Sequence, residues 1–530
     1  MNILLVWPNK DGFGFKPIGL ALISAILKQC GHEVELFDTS YIDFGYKGLS
    51  EVRNKIKIFK PVDFGKYDIT KQKVNLQTEL IKRLDDFKPD IVGISALSDE
   101  ISLGLEVSKI TKQWNSSVPI LWGNKAPMLS PDRILNTPYV DYICMGEGVE
   151  FFPEFIEYLS NHRDPCSLKN IAYKKAPGAV TQNELRPYFQ NLDSLPFLDW
   201  SIFDFRHFLK PYDGNLYVGG DHMIYWGCPH SCTYCINHAY RELYGRRSGK
   251  FLRNYSVDRI IGELQYLVQK WGITFFKFHD EDFCLKPMPY FKELAEKYRD
   301  QVNIPFTTMA NAHSITKEKV ALLVQMNCVS VSIGVETGNE KLRNEILKRR
   351  ETKDEIITAI KMLNEAGIRT CAFNMLGIPF ETRDTILETI ELNRISQVRC
   401  PDTVFFYPLE QTRLREIAVE NGFYDANSDG DFDDIRPSLR LPDISEEELI
   451  ALRERFVLYV KMPKAYYPYI KRSETEDDIG IKLTKELYQI YDTCVLFNDG
   501  IWNDRGENQV YLDRLKELYP YHESTYETTV

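Results

Sequence analysis

Three thiols fall within the nine residues Gly227-Cys-Pro-His-Ser-Cys-Thr-Tyr-Cys235, at Cys228, Cys232 and Cys235, with the spacing Cys-x3-Cys-x2-Cys. Iron–sulfur clusters are held by Cys thiolates, usually four of them. A compact loop offering three therefore implies a cubane with one iron open to a non-protein ligand, and the open iron is where chemistry would occur. A structural zinc loop completed by His238 is the rival reading. Structural zinc normally draws on two close ligand pairs separated by a longer span, whereas this chain has one Cys-x2-Cys pair. A chance group of buried thiols is the third reading, since free Cys is often buried.

Elements must hold this loop in place, and βα alternation surrounds it. An apolar strand at Met223–Trp226 leads in. After the loop, Ser256 can cap a helix with Ile260, Ile261, Leu264, Leu267 and Val268 on one face. Strands are then expected at 273–278, 306–309, 329–333, 369–375 and 403–407, with helices at 288–298, 317–325, 353–366 and 383–396 between them. Thr352 and Glu355 have capping-box spacing. Six strands with crossover helices predict an open parallel barrel whose site lies at the carboxyl ends of the strands. Polar groups sit at those ends: His279-Asp280-Glu281-Asp282, Asn311, Gly334-Val-Glu336-Thr-Gly338 and Gly377-Ile378-Pro379-Phe-Glu381. Singly, each reads as a solvated turn; at successive strand ends they read together as a ligand site.

The first 160 residues alternate in the same way, with strands at 3–7, 33–37, 91–95, 120–122 and 140–145 and helices at 18–29, 76–87 and 101–114. Gly31 stands where a left-handed helix stop belongs. A doubly wound parallel sheet is expected, with ligands at its carboxyl edge. There lie Ser95-Ala-Leu97-Ser98, Gly123-Asn124 and Gly146-Glu147-Gly148, whose glycines permit close backbone approach. Residues 161–205, with four prolines and little periodicity, read as a linker. From 421 a small, mostly helical accessory region is expected, with a helix at 445–459 and an aromatic core cluster at Tyr466, Tyr467 and Tyr469. Asp425-x-Asn427-x-Asp429-Gly430 copies the opening of a calcium loop, but Arg436 stands where a bidentate Glu is needed, so a solvated turn is expected.

Composition limits the partners. With 44% apolar and 27% charged residues the chain is ordinary for a globular protein, and no apolar run reaches the ~18 residues of a membrane span. The first residues lack a basic region followed by a cleavable apolar segment, so a cytoplasmic location is expected. Eleven Cys in a chain of this length argue against a disulfide framework. A net charge of −11 disfavours a nucleic-acid partner.

The Cys-x3-Cys-x2-Cys loop, with aromatic Tyr234 before its last Cys, resembles the signature of the radical S-adenosylmethionine (SAM) superfamily. Gly334-x-Glu336-x-Gly338 with Leu342 and Arg349, and Gly377-x-Pro379-x-Glu381-Thr382, resemble that family's strand-four and strand-five motifs; the loop after the sixth strand, Tyr407-Pro-Leu-Glu-Gln-Thr-Arg-Leu414, lacks the family's usual Gly. The first domain is similar to the cobalamin-binding domain that precedes many such cores. That likeness rests on Pro17-x-Gly19-Leu20, Gly31-His-Glu-Val34-x-Leu-x-Asp38, Pro89-Asp90-x-Val92-Gly-Ile-Ser95 and Val140-Asp141-Tyr142-x4-Gly146-Glu147-Gly148. The Asp-x-His-x-x-Gly sequence that supplies a cobalt-ligating His in some cobalamin domains is absent, which suggests cobalamin held without a His ligand.

The resemblance implies a doubly wound, Rossmann-like cobalamin domain (1–160), a linker (161–205), a partial (β/α)6 radical SAM barrel (206–420) and an accessory region (421–530). It implies a [4Fe–4S] cluster on Cys228, Cys232 and Cys235. SAM would lie against Tyr234, Asp280, Glu281, Asp282, Asn311, Glu336, Gly377 and Ile378, and cobalamin against Ser95, Leu97, Gly123, Asn124, Gly146, Glu147 and Gly148. The expected activity is reductive cleavage of SAM followed by methylation of an unactivated carbon in a small molecule, with a flavodoxin or ferredoxin as electron donor. No catalytic acid–base pair is evident. Oxidative ring closure or rearrangement on the same cofactors is the alternative, and a non-catalytic cobalamin or zinc module is the reading from another class.

Overall fold

A computed structural model describes residues 1–519, apart from 11, 13, 15, 47, 177, 246, 247, 429–434 and 505. In the first part, β1 (Asn2–Trp7), β2 (Glu33–Asp38), β3 (Ile91–Ser95), β4 (Ile120–Gly123) and β5 (Tyr142–Cys144) are parallel, in the order β2-β1-β3-β4-β5. Strand β1 reads Ile-Leu-Leu-Val-Trp from Ile3 and is buried from there to its end, as helix-covered parallel strands are. Helix Ile18–Gln29 packs on helix Gly148–Ser160 and ends at Gly31, whose φ of 84° stops it. Strand order reverses between β1 and β3, which opens a crevice at their carboxyl ends.

Residues 161–205 are more than the linker expected of them. They supply the hairpin β6 (Ile171–Ala176) and β7 (Ala179–Gln182), which extends the first sheet antiparallel to β5. The remainder is a strap of short turns that buries Leu192, Leu195, Leu198 and Trp200 against both halves.

The second sheet contains β8 (Leu209–Tyr212), β9 (Asn215–His222), β12 (Phe275–Phe278), β13 (Phe306–Ala310), β14 (Cys328–Glu336), β15 (Arg369–Leu376) and β16 (Cys400–Phe405). Its order is β16-β15-β14-β13-β12-β9-β8. Six strands are parallel, β8 runs antiparallel on the edge, and the sheet curls into an open half-barrel. The first barrel strand differs from the one expected at Met223–Trp226. Met223–Trp226 is not in the sheet; its end forms β10 (Tyr225–Trp226), paired antiparallel with β11 (Arg253–Asn254), and Asn215–His222 is the first parallel strand. Glycines hid that strand, because they weaken a strand signal, yet packing requires them. A Cβ on Gly220 would meet Phe276 at 2.4 Å and one on Gly219 would meet Lys210 at 2.7 Å.

Helix Lys353–Glu365 starts on the Thr352–Glu355 capping box. Beyond the barrel, helix Glu446–Lys461, capped by Ser445, packs on β16 and on helix Arg383–Ser396. Tyr466 and Tyr469 are buried in that packing. The acidic turn at 425–430 runs partly outside the described residues. No helix among the described residues is long and apolar enough to cross a membrane.

Candidate active site

The Cys loop is held from three sides. On the approach, Asp280 at the end of β12 accepts backbone N–H bonds from Ile224 and Tyr225 at 3.0–3.1 Å, and burial pushes its carboxyl up to about 8. Gly227 then turns with φ 95°, where a Cβ would lie 2.3 Å from the Phe251 carbonyl. On the far side, Thr233 N–H donates to the Leu347 carbonyl (3.2 Å) and its hydroxyl to the Ile346 carbonyl (2.7 Å). Those carbonyls belong to or follow the π-helical turn Leu342–Ile346, a geometry frequent at functional sites.

Cys235 is the N-cap of helix Ile236–Tyr244, so its sulfur faces the positive end of the helix dipole. Burial is the largest influence on the thiols, pushing Cys228 up to about 12, Cys232 up to about 11 and Cys235 upward. Backbone N–H groups of His230, facing Cys228, and of Asn237 and His238, facing Cys235, pull the other way. His238, the fourth ligand of the zinc reading, places Nε2 3.6 Å from Glu242 on its own helix. Among the described residues no three His, Cys, Asp or Glu side chains converge on one metal ion. Three thiols on one loop match a cluster that gives each its own iron.

Beside Cys232 lies a buried network at the end of β14. Tyr234 donates its hydroxyl to Glu336 Oε1 (3.1 Å) and accepts from Arg349 (3.0 Å). Arg349 also donates to the Gly334 carbonyl (2.7 Å) and to Glu351 (2.6 Å). Asn311 joins through Glu351, and its N–H donates to Asp282 at 3.2 Å. Glu336 adopts φ 62° beside a register shift in β14; such strain in a non-Gly residue persists only where the surroundings over-determine it. Burial raises its carboxyl despite Arg349.

Between the carboxyl edge of the first sheet and the mouth of the half-barrel is a cavity of 660 Å³. Ser95, Leu97, Gly123, Asn124, Gly146, Glu147 and Gly148 all line it, and Trp226, Gly227, Asn237 and Glu281 line the barrel side. The glycines keep the wall thin: a Cβ on Gly146 would fall 2.4 Å from the Tyr244 hydroxyl. Asn124 has φ 80° and donates to Ser95 Oγ at 3.2 Å. Glu147 spans the two halves, with one oxygen 2.7 Å and the other 2.9 Å from the Arg253 guanidinium.

Against known protein families, residues 224–392 match the radical SAM superfamily model and residues 63–156 match the B12 binding domain model. The chain carries a B12-binding domain and a radical SAM domain. It is 25% identical over 473 residues to an uncharacterized methyltransferase, PH0819, of Pyrococcus horikoshii, covering 88% of this chain and 93% of that one. It is 23% identical over 410 residues to an anaerobic magnesium-protoporphyrin IX monomethyl ester cyclase of Rubrivivax gelatinosus, covering 74% and 66%. In fold it is similar to the cobalamin-dependent S-adenosylmethionine radical enzyme OxsB with aqua-cobalamin and S-adenosylmethionine bound, with a TM-score of 0.62 and 16% identity over 98% of this chain and 75% of that one.

A radical SAM domain and a B12 domain imply a [4Fe–4S] cluster, SAM and cobalamin, and the residues present fit them. The thiols stand on one loop with amides turned toward sulfur, and the glycine-lined strand ends of the B12 domain face the Cys loop across one cavity. Within the radical SAM domain the acidic run divides its duties. Glu281 reaches the cavity, held by Asn237 Nδ2 at 2.8 Å. Asp280 is spent on the backbone of the loop, and Asp282 accepts from Ser314 (2.5 Å) and Asn311. Gly377 donates its N–H to the buried Glu381 rather than offering it to a ligand, and Ile378 packs beside Tyr234 in a small apolar cluster. Sequence reasoning passed over Arg253, Tyr244 and Lys16, and named His279 without giving it a role. Nothing local marks the first three, whereas His279 stood at the strand end already singled out.

Proposed function

We propose that the chain is a cobalamin-dependent methyltransferase that adds a methyl group to an unactivated carbon of a small molecule. Residues 1–160 would hold cobalamin, 206–420 the cluster and SAM, and 421–530 would act as an accessory region. When bound, the cluster supplies the electron that cleaves SAM and cobalamin supplies the methyl group. The chain's part is placement. Cys228, Cys232 and Cys235 ligate the cluster, and the Tyr234–Glu336–Arg349 network with Asn311 and Glu281 forms the wall against which SAM lies. The strand-end residues from Ser95 to Gly148 seat cobalamin.

The observation that carries the proposal is the single cavity lined by both the strand ends of the B12 domain and the start of the Cys loop. Such a space lets a methyl donor and a cleaved SAM reach one substrate. A one-electron donor such as flavodoxin or ferredoxin is required. Ring closure is the second reading, favoured by the likeness to the cyclase.

The test is incubation of the reconstituted, reduced protein with SAM labelled in its methyl group and the small-molecule fraction of source cells. Methyl transfer places label in a product and yields S-adenosylhomocysteine together with 5′-deoxyadenosine. An unlabelled product without S-adenosylhomocysteine refutes methyl transfer and supports ring closure.

A further inference from the structure

Burial alternates along β12: Phe276 and Phe278 are buried toward the helices, while Lys277 and His279 are half-exposed. Thr307 and Met309 on β13 repeat the pattern, as do Ser332 and Gly334 on β14. Successive strand residues face opposite sides, so the half-exposed set lines an open lumen below the cavity, which His279 and Met309 also line.

That lumen holds unmatched charge. Lys277 stands in register with Asp221 of β9, but Asp221 is already fully engaged. It pairs with Lys210 at 2.9 Å, Lys16 at 3.2 Å and His279 Nε2 at 2.7 Å, with 0% side-chain exposure. Because Asp221 accepts from Nε2, that nitrogen carries the proton, and burial lowers the pKa of the ring. Lys277 makes no hydrogen bond or ion pair within the described residues. Burial lowers it to about 8, with Lys210 and Arg53 repelling and Asp221 attracting its ammonium, so the amine is still largely charged at neutral pH. Arg53 is matched by Asp402. The acid that faces the cavity from the same strand end, Glu281, is held by Asn237. Three ammonium groups, Lys16, Lys210 and Lys277, thus surround one carboxylate. Lys277 faces the lumen with no carboxylate of its own among the described residues, and charges drawn in from solvent are normally paired; the missing partner is an anion.

We propose that the half-barrel lumen contains an oxyanion site at Lys277 and that the substrate carries a carboxylate or phosphate which binds there. The inference rests on the lumen being the substrate site of the proposed enzyme. It adds the chemical class of that substrate: a small molecule whose anionic end reaches down to Lys277 while its reacting carbon stays at the level of Met309 and the cavity.

The test uses the full chain loaded with iron, sulfide and cobalamin. Its thermal midpoint is followed against inorganic phosphate and, separately, acetate, with sodium chloride holding the ionic strength fixed. Binding to the folded state raises the midpoint logarithmically with ligand concentration. The expected result is a rise with at least one of the two anions, loss of about tenfold or more in apparent affinity for Lys277→Met, and retention in Lys277→Arg. Phosphate alone points to a phosphate-bearing substrate and acetate alone to a carboxylate.

A second readout needs no variant: mass spectrometry of the Lys277 peptide after limited lysine acetylation should show labelling that the effective anion suppresses. Neither anion exceeding the chloride control, an unchanged response in Lys277→Met, or no labelling of Lys277 without anion would each overturn the site. Iron and corrinoid contents measured on the same samples report separately on the proposed cofactors, so the two readings fail independently.

Discussion

At the scale of single residues, position 146 is the sharpest constraint on the cavity. Gly146→Ala places a methyl group 2.4 Å from the Tyr244 hydroxyl, and overpacking of this kind costs about 1–3 kcal/mol. The expected outcome is a lower melting point together with weaker corrinoid retention. Adding Tyr244→Phe removes the nearest atom and should restore part of both, although Asn170 remains at 3.0 Å. A double variant no better than the single one would show that the clash is not the cause.

Glu381 offers a different residue-scale test. Burial pushes its carboxyl up to about 8, so the folded state keeps a proton that the unfolded chain releases near 4.5. The sign follows directly: the stabilisation is complete below the unfolded value and is lost as pH rises through the folded one. Between pH 5 and 8 this group alone should lower stability by up to about 1.4 kcal/mol per pH unit. Glu381→Gln should flatten that slope in denaturant titrations at pH 5, 6.5 and 8; parallel curves for the two proteins would refute the assignment. At this scale the sequence was most legible where chemistry demands residue types at fixed spacing. The three thiols and the glycine-bearing strand ends were read from the chain. Arg253 and Lys277 were not, because a lone basic residue carries no signal until the fold shows what surrounds it.

At the scale of elements, the π-helical turn Leu342–Ile346 is the far anchor of the Cys loop, through the two bonds from Thr233. Thr233→Val leaves the Ile346 carbonyl without its hydroxyl partner while preserving shape, at a cost of about 1–3 kcal/mol if the carbonyl finds no substitute. The reconstituted variant is expected to lose iron to a chelator faster than the parent and to melt a few degrees lower. Equal rates of iron loss would mean that the anchor does not matter.

Periodicity located most parallel strands and crossover helices, since each buries a continuous apolar face. It failed where packing overrode propensity. The first barrel strand depends on Gly219 and Gly220 to admit Lys210 and Phe276, and the β6–β7 hairpin lies among prolines that read as linker. A π-helical turn cannot be read from side-chain periods, because its extra residue shows only in the backbone.

At the scale of the whole molecule, the two halves are joined across the cavity by Glu147 and Arg253, both largely buried. Arg253→Met leaves the Glu147 carboxylate without its guanidinium, and removing one partner of a buried pair costs about 3 kcal/mol. The expected result is a lower melting point and weaker corrinoid binding, since the pair holds the Gly146–Gly148 strand end against β11. Unchanged corrinoid affinity would place the pair outside the cofactor site.

Above all, one chain is proposed to hold both cofactors across one cavity. The most direct test is the iron and corrinoid content per chain after anaerobic reconstitution with iron, sulfide and hydroxocobalamin, compared with the variant carrying Ser at 228, 232 and 235. The parent should hold about four irons and one corrinoid, and the triple variant corrinoid without iron. Zinc in place of iron, or a parent that binds no corrinoid, would contradict that proposal.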